Sequence, residues 1–284
     1  MFRIDRIHLS LLRILSILNI LLILSKQSPM RTNHTKSKLK AGQTVHGCFV
    51  RYPEPALIEM LGYYGWDFIM FDGEHSTITP RDCEQLVRAA ELQNVTPLVR
   101  VPANQQPVIL RFMDTGVLGA MVPMINSVAD AEAAVRAIKY APRGQRGLAG
   151  VRAAAYGQVP GFNFKTYVKE ANNETLVIAQ VETAAAVDAL PDIVQVPDID
   201  VIFIGPTDLS QSLGVPGELQ HPAVQAMFDR IVSIVTASDK ALGILVPNVD
   251  AARQWQARGA RFVLVVMDAL LGPACRGFLQ TVRG

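Results

Sequence analysis

The residues best suited to chemistry in this chain stand directly after apolar runs. Asp72-Gly73-Glu74-His75 follows the apolar residues 68–71, and Arg100 closes the run at 97–99. Gln180 and Glu182 lie at the end of the run 176–181, and Asp208 follows the run 201–205. Glu182 and Asp208 suit a hard divalent cation, which takes one or two carboxylates and leaves places for water and substrate. Arg100 suits an anionic substrate that gains charge during reaction. His75, with a reference pKa of about 6.5, can carry a proton at neutral pH. Each residue also has a plain reading. His75 alone is a loop histidine, and Arg100 is a partner for a structural carboxylate. Glu182 favours a helix N-terminus, and Asp208 serves as an N-cap. What weighs against the plain readings is that all of them fall at the same kind of position.

That position has meaning only if the runs are strands. Residues 44–50, 67–71, 97–101, 120–123, 176–181, 201–205, 241–246 and 262–266 are short, nearly continuous apolar runs, as parallel strands covered on both faces require. Helix-period segments separate them. Thr79 is placed to cap a helix, with Pro80 at its first position and Asp82 three residues after the cap. Cys83, Leu86, Val87 and Ala90 then recur at core-facing helical spacing. Ser127 and Asp130 repeat the start signal. Eight alternating units predict a TIM (β/α)8 barrel of the α/β class, which needs roughly 250 residues and carries its chemistry at the C-terminal strand ends. An open doubly wound sheet is the alternative, but no glycine-rich dinucleotide fingerprint supports it. Residues 141–165, rich in Gly, Arg, Ala and aromatics, break the rhythm and are expected to form a lid or active-site wall.

The chain has 284 residues, half of them hydrophobic and 18% charged, with a net charge of only +2. That composition suits one large folded domain, and without a basic stripe it argues against nucleic acid as a partner. Cys48, Cys83 and Cys275 fall in no metal spacing and cannot form a full disulfide framework, so a reduced cytoplasmic setting with buried apolar thiols is expected. Residues 1–40 read as a leader and 41–284 as the barrel domain. Arg3, Arg6 and Arg13 precede an apolar run at 14–24. Three readings stay open for it: a start upstream of a true initiation at Met30, a membrane anchor, or a cleaved signal. Membrane contact is expected only if that leader is real.

The motifs FDGEH (71–75), PLVRVP (97–102), MDTG (113–116), VPM (122–124), QVET (180–183), FIGPTDLS (203–210), HPAV (221–224) and GILVPN (243–248) run in order along the chain. Together they resemble the HpcH/HpaI aldolase family, the metal-dependent class II pyruvate aldolases. The resemblance implies a divalent cation (Mg2+, Mn2+ or Co2+) held by Glu182 and Asp208. It implies Arg100 near the keto oxygen of pyruvate, His75 as acid–base residue, and Asp114 as the carboxylate that orients it. Gln180 would hydrogen-bond metal-bound water or substrate, and Gly205, Pro206 and Thr207 would receive the pyruvate carboxylate. Leu245 would line the aldehyde pocket, and Asp72 and Glu74 would orient the loop and the metal waters. The implied partners are a small 2-oxo acid and an aldehyde, with further copies of the chain in a trimer or hexamer.

The expected activity is cleavage or formation of a 4-hydroxy-2-oxo acid through a stabilised pyruvate enolate, a carbon–carbon lyase reaction. A Schiff-base lysine is the other chemical solution, but no lysine ends a candidate strand. Lys240 precedes the seventh, and Lys139 lies on a helix. The alternatives are a citrate-lyase-β-like acyl-CoA lyase on the same barrel and a non-catalytic binding barrel. Two departures from the family pattern bear on the substrate. Thr207 is larger than the residue many members carry, and Val265-Val266-Met267-Asp268 replaces a glycine-containing end to the eighth strand.

Overall fold

A computed structural model describes residues 30–284; the apolar run at 14–24 lies outside the described residues. The order is α1 (His34–Lys40), β1 (Val45–Val50), α2 (Pro55–Tyr63), β2 (Phe68–Asp72), α3 (Pro80–Leu92), β3 (Thr96–Arg100), α4 (Gln106–Met113), β4 (Gly119–Val122) and α5 (Val128–Ile138). It continues through a short 3-10 segment (Arg152–Gly157), α6 (Phe164–Glu174), β5 (Leu176–Val181), α7 (Ala184–Ile193), β6 (Val201–Ile204), α8 (Pro206–Ser212), α9 (Pro222–Thr236), β7 (Ala241–Val246), α10 (Val249–Ala257), β8 (Ala260–Val266) and α11 (Met267–Arg283). The eight strands are parallel and close in sequence order, with β8 pairing β1, so the fold is a TIM barrel and not an open sheet. Among the described residues no helix is long and apolar enough to cross a membrane.

Helix starts follow the local chemistry. At α3, the Thr79 side chain accepts from Asp82 N–H while the Asp82 carboxylate accepts from Thr79 N–H, a reciprocal capping box. Ser127 caps α5 by accepting from Asp130 N–H.

Alternation along the strands divides two cores. Phe68, Met70, Leu98, Ile178, Phe203, Phe262 and Leu264 point into the barrel, while Ile69, Phe71, Val99, Val177 and Val263 pack under the helices. Phe68 stacks on Phe262 at 4.2 Å, and Phe203 meets Phe262 edge-on. These rings fit because Gly47 faces them: a Cβ there would lie 2.1 Å from the Phe68 ring. The same period of two carries Asp72, Arg100 and Gln180 inward, one step above this apolar fill.

The polar stretch placed with the leader carries α1, which packs under the barrel. Buried Asn33 donates to the carbonyls of Leu118 and Glu174, and its Oδ1 caps α1 at Lys36 N–H. Lys36 Nζ reaches Thr175 O and the Asp200 carboxylate. The boundary drawn at residue 40 therefore falls inside packed structure.

Three expectations are corrected here. Residues 141–165 do not wall the C-terminal end of the barrel, where the candidate site residues stand, within this chain. They follow the C-terminal end of α5 and bond to groups at the opposite end of the barrel, with Arg146 N donating to Lys139 O and Ala153 N to Asp114 O. Asp114 itself is the C-cap of α4, so it stands at the end of the barrel away from His75, and its carboxylate pairs with Arg146 at 2.9 Å. It does not orient His75 within the chain. The sequence signal missed was directional: a residue closing a helix in a (β/α) unit lies at the N-terminal end of the next strand. Cys48 and Cys83 are buried thiols, each pushed up to about 12 by burial, but Cys275 is exposed.

Candidate active site

Arg100 ends β3 beside Asp72 at the end of β2, and the two are register partners. Its guanidinium meets the Asp72 carboxylate as a fork, Nε to Oδ1 at 3.1 Å and one Nη to Oδ2 at 2.8 Å. The other Nη lies 3.2 Å from Glu74 Oε2, and the Arg100 guanidinium carbon stands 4.7 Å over the Phe49 ring. Asp72 also accepts from the N–H groups of Glu74 and His75 at 3.1 Å each. One buried carboxylate thus holds the arginine and folds the loop that carries the next two ionisable groups. His75 reaches outward, with 61% of its side chain exposed and Nε2 at 3.9 Å from Glu74 Oε2.

Across the mouth, Glu182 and Gln180 rise from β5. Glu182 is 3% exposed; one carboxylate oxygen accepts from Met124 N–H at 2.8 Å, and the other accepts from Gln180 Nε2. Met124 adopts φ of +56°, a left-handed conformation uncommon for a side-chain-bearing residue, and in it the N–H meets Glu182. Gly205 closes β6 against this pair. A Cβ on it would lie 2.6 Å from Glu182 Oε2 and 3.1 Å from Gln180 Nε2. Asp208 follows in the first turn of α8, exposed, with Thr207 exposed and Pro206 buried. The N-cap of α8 is Gly205, so capping does not account for Asp208. Leu245 on β7 is half-buried against the interior core.

Burial pushes the Glu182 carboxyl up to about 7 against the hydrogen bonds from Met124 and Gln180, and the charges of Asp208 and Glu74 add to the rise. Glu74 is likewise raised by burial, with Arg100 pulling it down and the Asp72 and Asp208 charges adding to the rise. Glu182, Glu74 and Asp208 thus bring like charge to this end of the barrel, where the buried acceptor Gln180 Oε1 has no hydrogen-bond partner. An all-oxygen set with excess negative charge fits a hard divalent cation. Among the described residues no three His, Cys, Asp or Glu side chains are already gathered at ligand geometry. The fit is that of a two-carboxylate site which leaves places for water and substrate, not a closed protein cage.

The structure brings together Asp72, Glu74, Arg100, Gln180, Glu182 and Gly205, places Asp208 and His75 at the rim, and leaves Asp114 at the far end. Sequence reasoning passed over Phe49 under Arg100 and the Met124 N–H on Glu182. Nothing in an apolar run marks either; each is found only from strand register or backbone dihedral.

A family model described as HpcH/HpaI aldolase/citrate lyase matches residues 46–271. The chain is 35% identical over 242 residues to a hydroxypyruvate/pyruvate aldolase of Roseobacter denitrificans, covering 84% of this chain and 93% of that protein. It is 36% identical over 249 residues to a 4-hydroxy-2-oxovalerate aldolase of Rhodococcus jostii, covering 86% and 93%. Among solved structures, an HpcH/HpaI aldolase/citrate lyase family protein of Burkholderia cenocepacia superposes with a TM-score of 0.84 at 34% identity, over 89% of this chain and 100% of that one. The chain belongs to the HpcH/HpaI aldolase/citrate lyase family, and its class of chemistry is that of a carbon–carbon lyase.

Proposed function

We propose that the protein is a divalent-metal-dependent aldolase that cleaves, or forms, a 4-hydroxy-2-oxo acid, giving pyruvate and an aldehyde. The observation that carries this reading is a buried arginine, locked by Asp72, set at the same mouth as the oxygen-rich group of Glu182, Gln180 and Asp208. In the reaction, the hydroxyl on C4 loses its proton and the C3–C4 bond breaks. Its electron pair moves into C2–C3, and negative charge collects on the C2 oxygen. The Arg100 guanidinium, held as a rigid fork, faces that oxygen and stabilises the charge as it grows. His75, exposed at the rim beside Glu74, takes the C4 hydroxyl proton, and return of one proton to C3 of the enolate completes pyruvate. The first turn of α8 receives the 2-oxo acid's carboxylate over Gly205–Thr207 through the N–H groups of Thr207 and Asp208, which lack intrahelical partners, since Gly205 N–H is taken by Val181 O and Pro206 has none. Glu182 and Asp208 would hold the cation, with Gln180 turned toward its waters. When bound, the cation supplies a Lewis-acid sink for the same developing charge. Leu245 borders the aldehyde half.

The direct test is pyruvate release from a panel of 4-hydroxy-2-oxo acids, followed with lactate dehydrogenase, in Mg2+, Mn2+ or Co2+. Turnover that EDTA abolishes and fresh cation restores is expected. No turnover of any 2-oxo acid with any of the three cations, or turnover unaffected by EDTA, overturns the reading.

A further inference from the structure

At the end of the barrel away from the catalytic mouth, a cavity of about 1020 Å³ opens between α3, the loop after α4 and the 141–165 segment. Its lining holds four arginines, Arg31, Arg88, Arg146 and Arg152, and a single carboxylate, Glu91. Glu91 is already shared: Arg31 lies 3.0 Å from it and Arg152 2.6 Å. From the edge, Glu84 pairs with Arg88 and Asp114 with Arg146. Donors remain over. Of the four buried side-chain polar atoms without a hydrogen-bond partner among the described residues, three are guanidinium nitrogens of this one lining: Arg31 Nη1, Arg88 Nη1 and Arg146 Nε. For Arg31 Nη1 the nearby Glu91 oxygen is at ion-pair distance without forming a hydrogen bond. Arg146 is 2% exposed, so its free N–H cannot turn to bulk water.

A buried guanidinium donor left unmade is costly, and three around one space are unusual for a packing defect. The guanidiniums also oppose one another: burial lowers the proton affinity of Arg31 and of Arg152, and the charges of Arg152 on the one and Arg88 on the other lower it further. Planar N–H forks match carboxylate and phosphate oxygens. The hydroxyl of Tyr156, 3.3 Å from Arg88, offers a neutral donor at the rim.

We propose that this cavity binds a polyvalent oxyanion, a phosphate ester or a di- or tricarboxylate, at a site separate from the catalytic mouth. The orphaned N–H groups of Arg31, Arg88 and Arg146 take the anion's oxygens.

Isothermal titration of the full chain with inorganic phosphate and, separately, with citrate tests this, using metal-free protein at low ionic strength. Binding with a dissociation constant of about 1 mM or tighter is expected for at least one probe, and added NaCl should weaken it. The probe that binds decides between phosphate and carboxylate chemistry. Arg31→Gln and Arg88→Gln alter partly exposed side chains, and each should weaken binding about tenfold. Arg100→Gln, at the other end, should leave it unchanged. The proposal is overturned if neither probe binds at about 10 mM, or if Arg100→Gln abolishes binding while Arg31→Gln and Arg88→Gln do not.

Discussion

Glu182→Gln isolates the electrostatic strain stored at the candidate metal site. In the folded, metal-free protein this carboxyl is pushed up to about 7, whereas an exposed glutamate titrates near 4.5. Between those values the folded state holds a proton that the unfolded state has released. Stability from this group is therefore full below pH 4.5 and is lost as pH rises through 7. Each tenfold change in proton affinity is worth about 1.4 kcal/mol, so ionising Glu182 at pH 8 costs the fold about 3 kcal/mol. Glutamine keeps the shape and cannot ionise. Its oxygen can keep the bond from Met124 N–H, and its amide can donate to Gln180 Oε1, the orphaned acceptor, once the Gln180 amide turns over. Urea unfolding of metal-free protein should show wild type and variant within about 1 kcal/mol at pH 5, and the variant more stable by up to about 3 kcal/mol at pH 8. Divalent cation at a thousand times its dissociation constant should reverse the order at pH 8, because only wild type gains from binding, by about 4.1 kcal/mol. The variant should be inactive. A difference between the two proteins that does not change from pH 5 to pH 8 would refute the reasoning.

Arg100→Ala should lower kcat/KM by about 10²- to 10³-fold, and Arg100→Lys should not rescue it, since an ammonium cannot form the fork with Asp72; steady-state pyruvate release measures both. Gly205→Ala drives a Cβ to 2.6 Å from Glu182 Oε2 and should cost about 1–3 kcal/mol in urea unfolding together with cation binding by calorimetry. Asn33→Ala strips the donor from two carbonyls, those of Leu118 and Glu174, and removes a helix cap. It should cost about 2–4 kcal/mol in chemical unfolding with the kcat of the surviving folded fraction unchanged.

Architecture was legible in the chain because burial on both faces forces strands to read as unbroken apolar runs, and capping residues mark where helices begin. The end that carries the candidate site stood out for the same reason: Asp72, Arg100 and Gln180 interrupt the apolar run at its C-terminal edge. What failed was whatever depends on which end of a helix a residue closes. Asp114 and the 141–165 segment both follow helices, so chain direction alone sends them to the far end. The leader boundary failed differently. Residues 31–40 are polar, but Asn33 and Lys36 spend that polarity on strand-end carbonyls and on the Asp200 carboxylate, and composition cannot tell a solvated polar residue from one that seals a floor. Met124 left no signal, since its contribution is a backbone N–H.

The pairing of Asp72 with Arg100 across β2 and β3 is a consequence of sheet register alone. Two neighbouring parallel strands deliver both partners of the fork, and the loop after β2 only adds Glu74 and two N–H bonds around it. A lineage built on this scaffold can therefore rewrite the loops and helices around the mouth and inherit an aligned guanidinium unchanged. A one-residue insertion or deletion inside either strand is another matter. It would turn one partner toward the helices, and the descendant would keep an eight-stranded barrel with the fork broken. Evolutionary freedom and fragility are thus partitioned in space, the first in the loops above the strands and the second in their last rung.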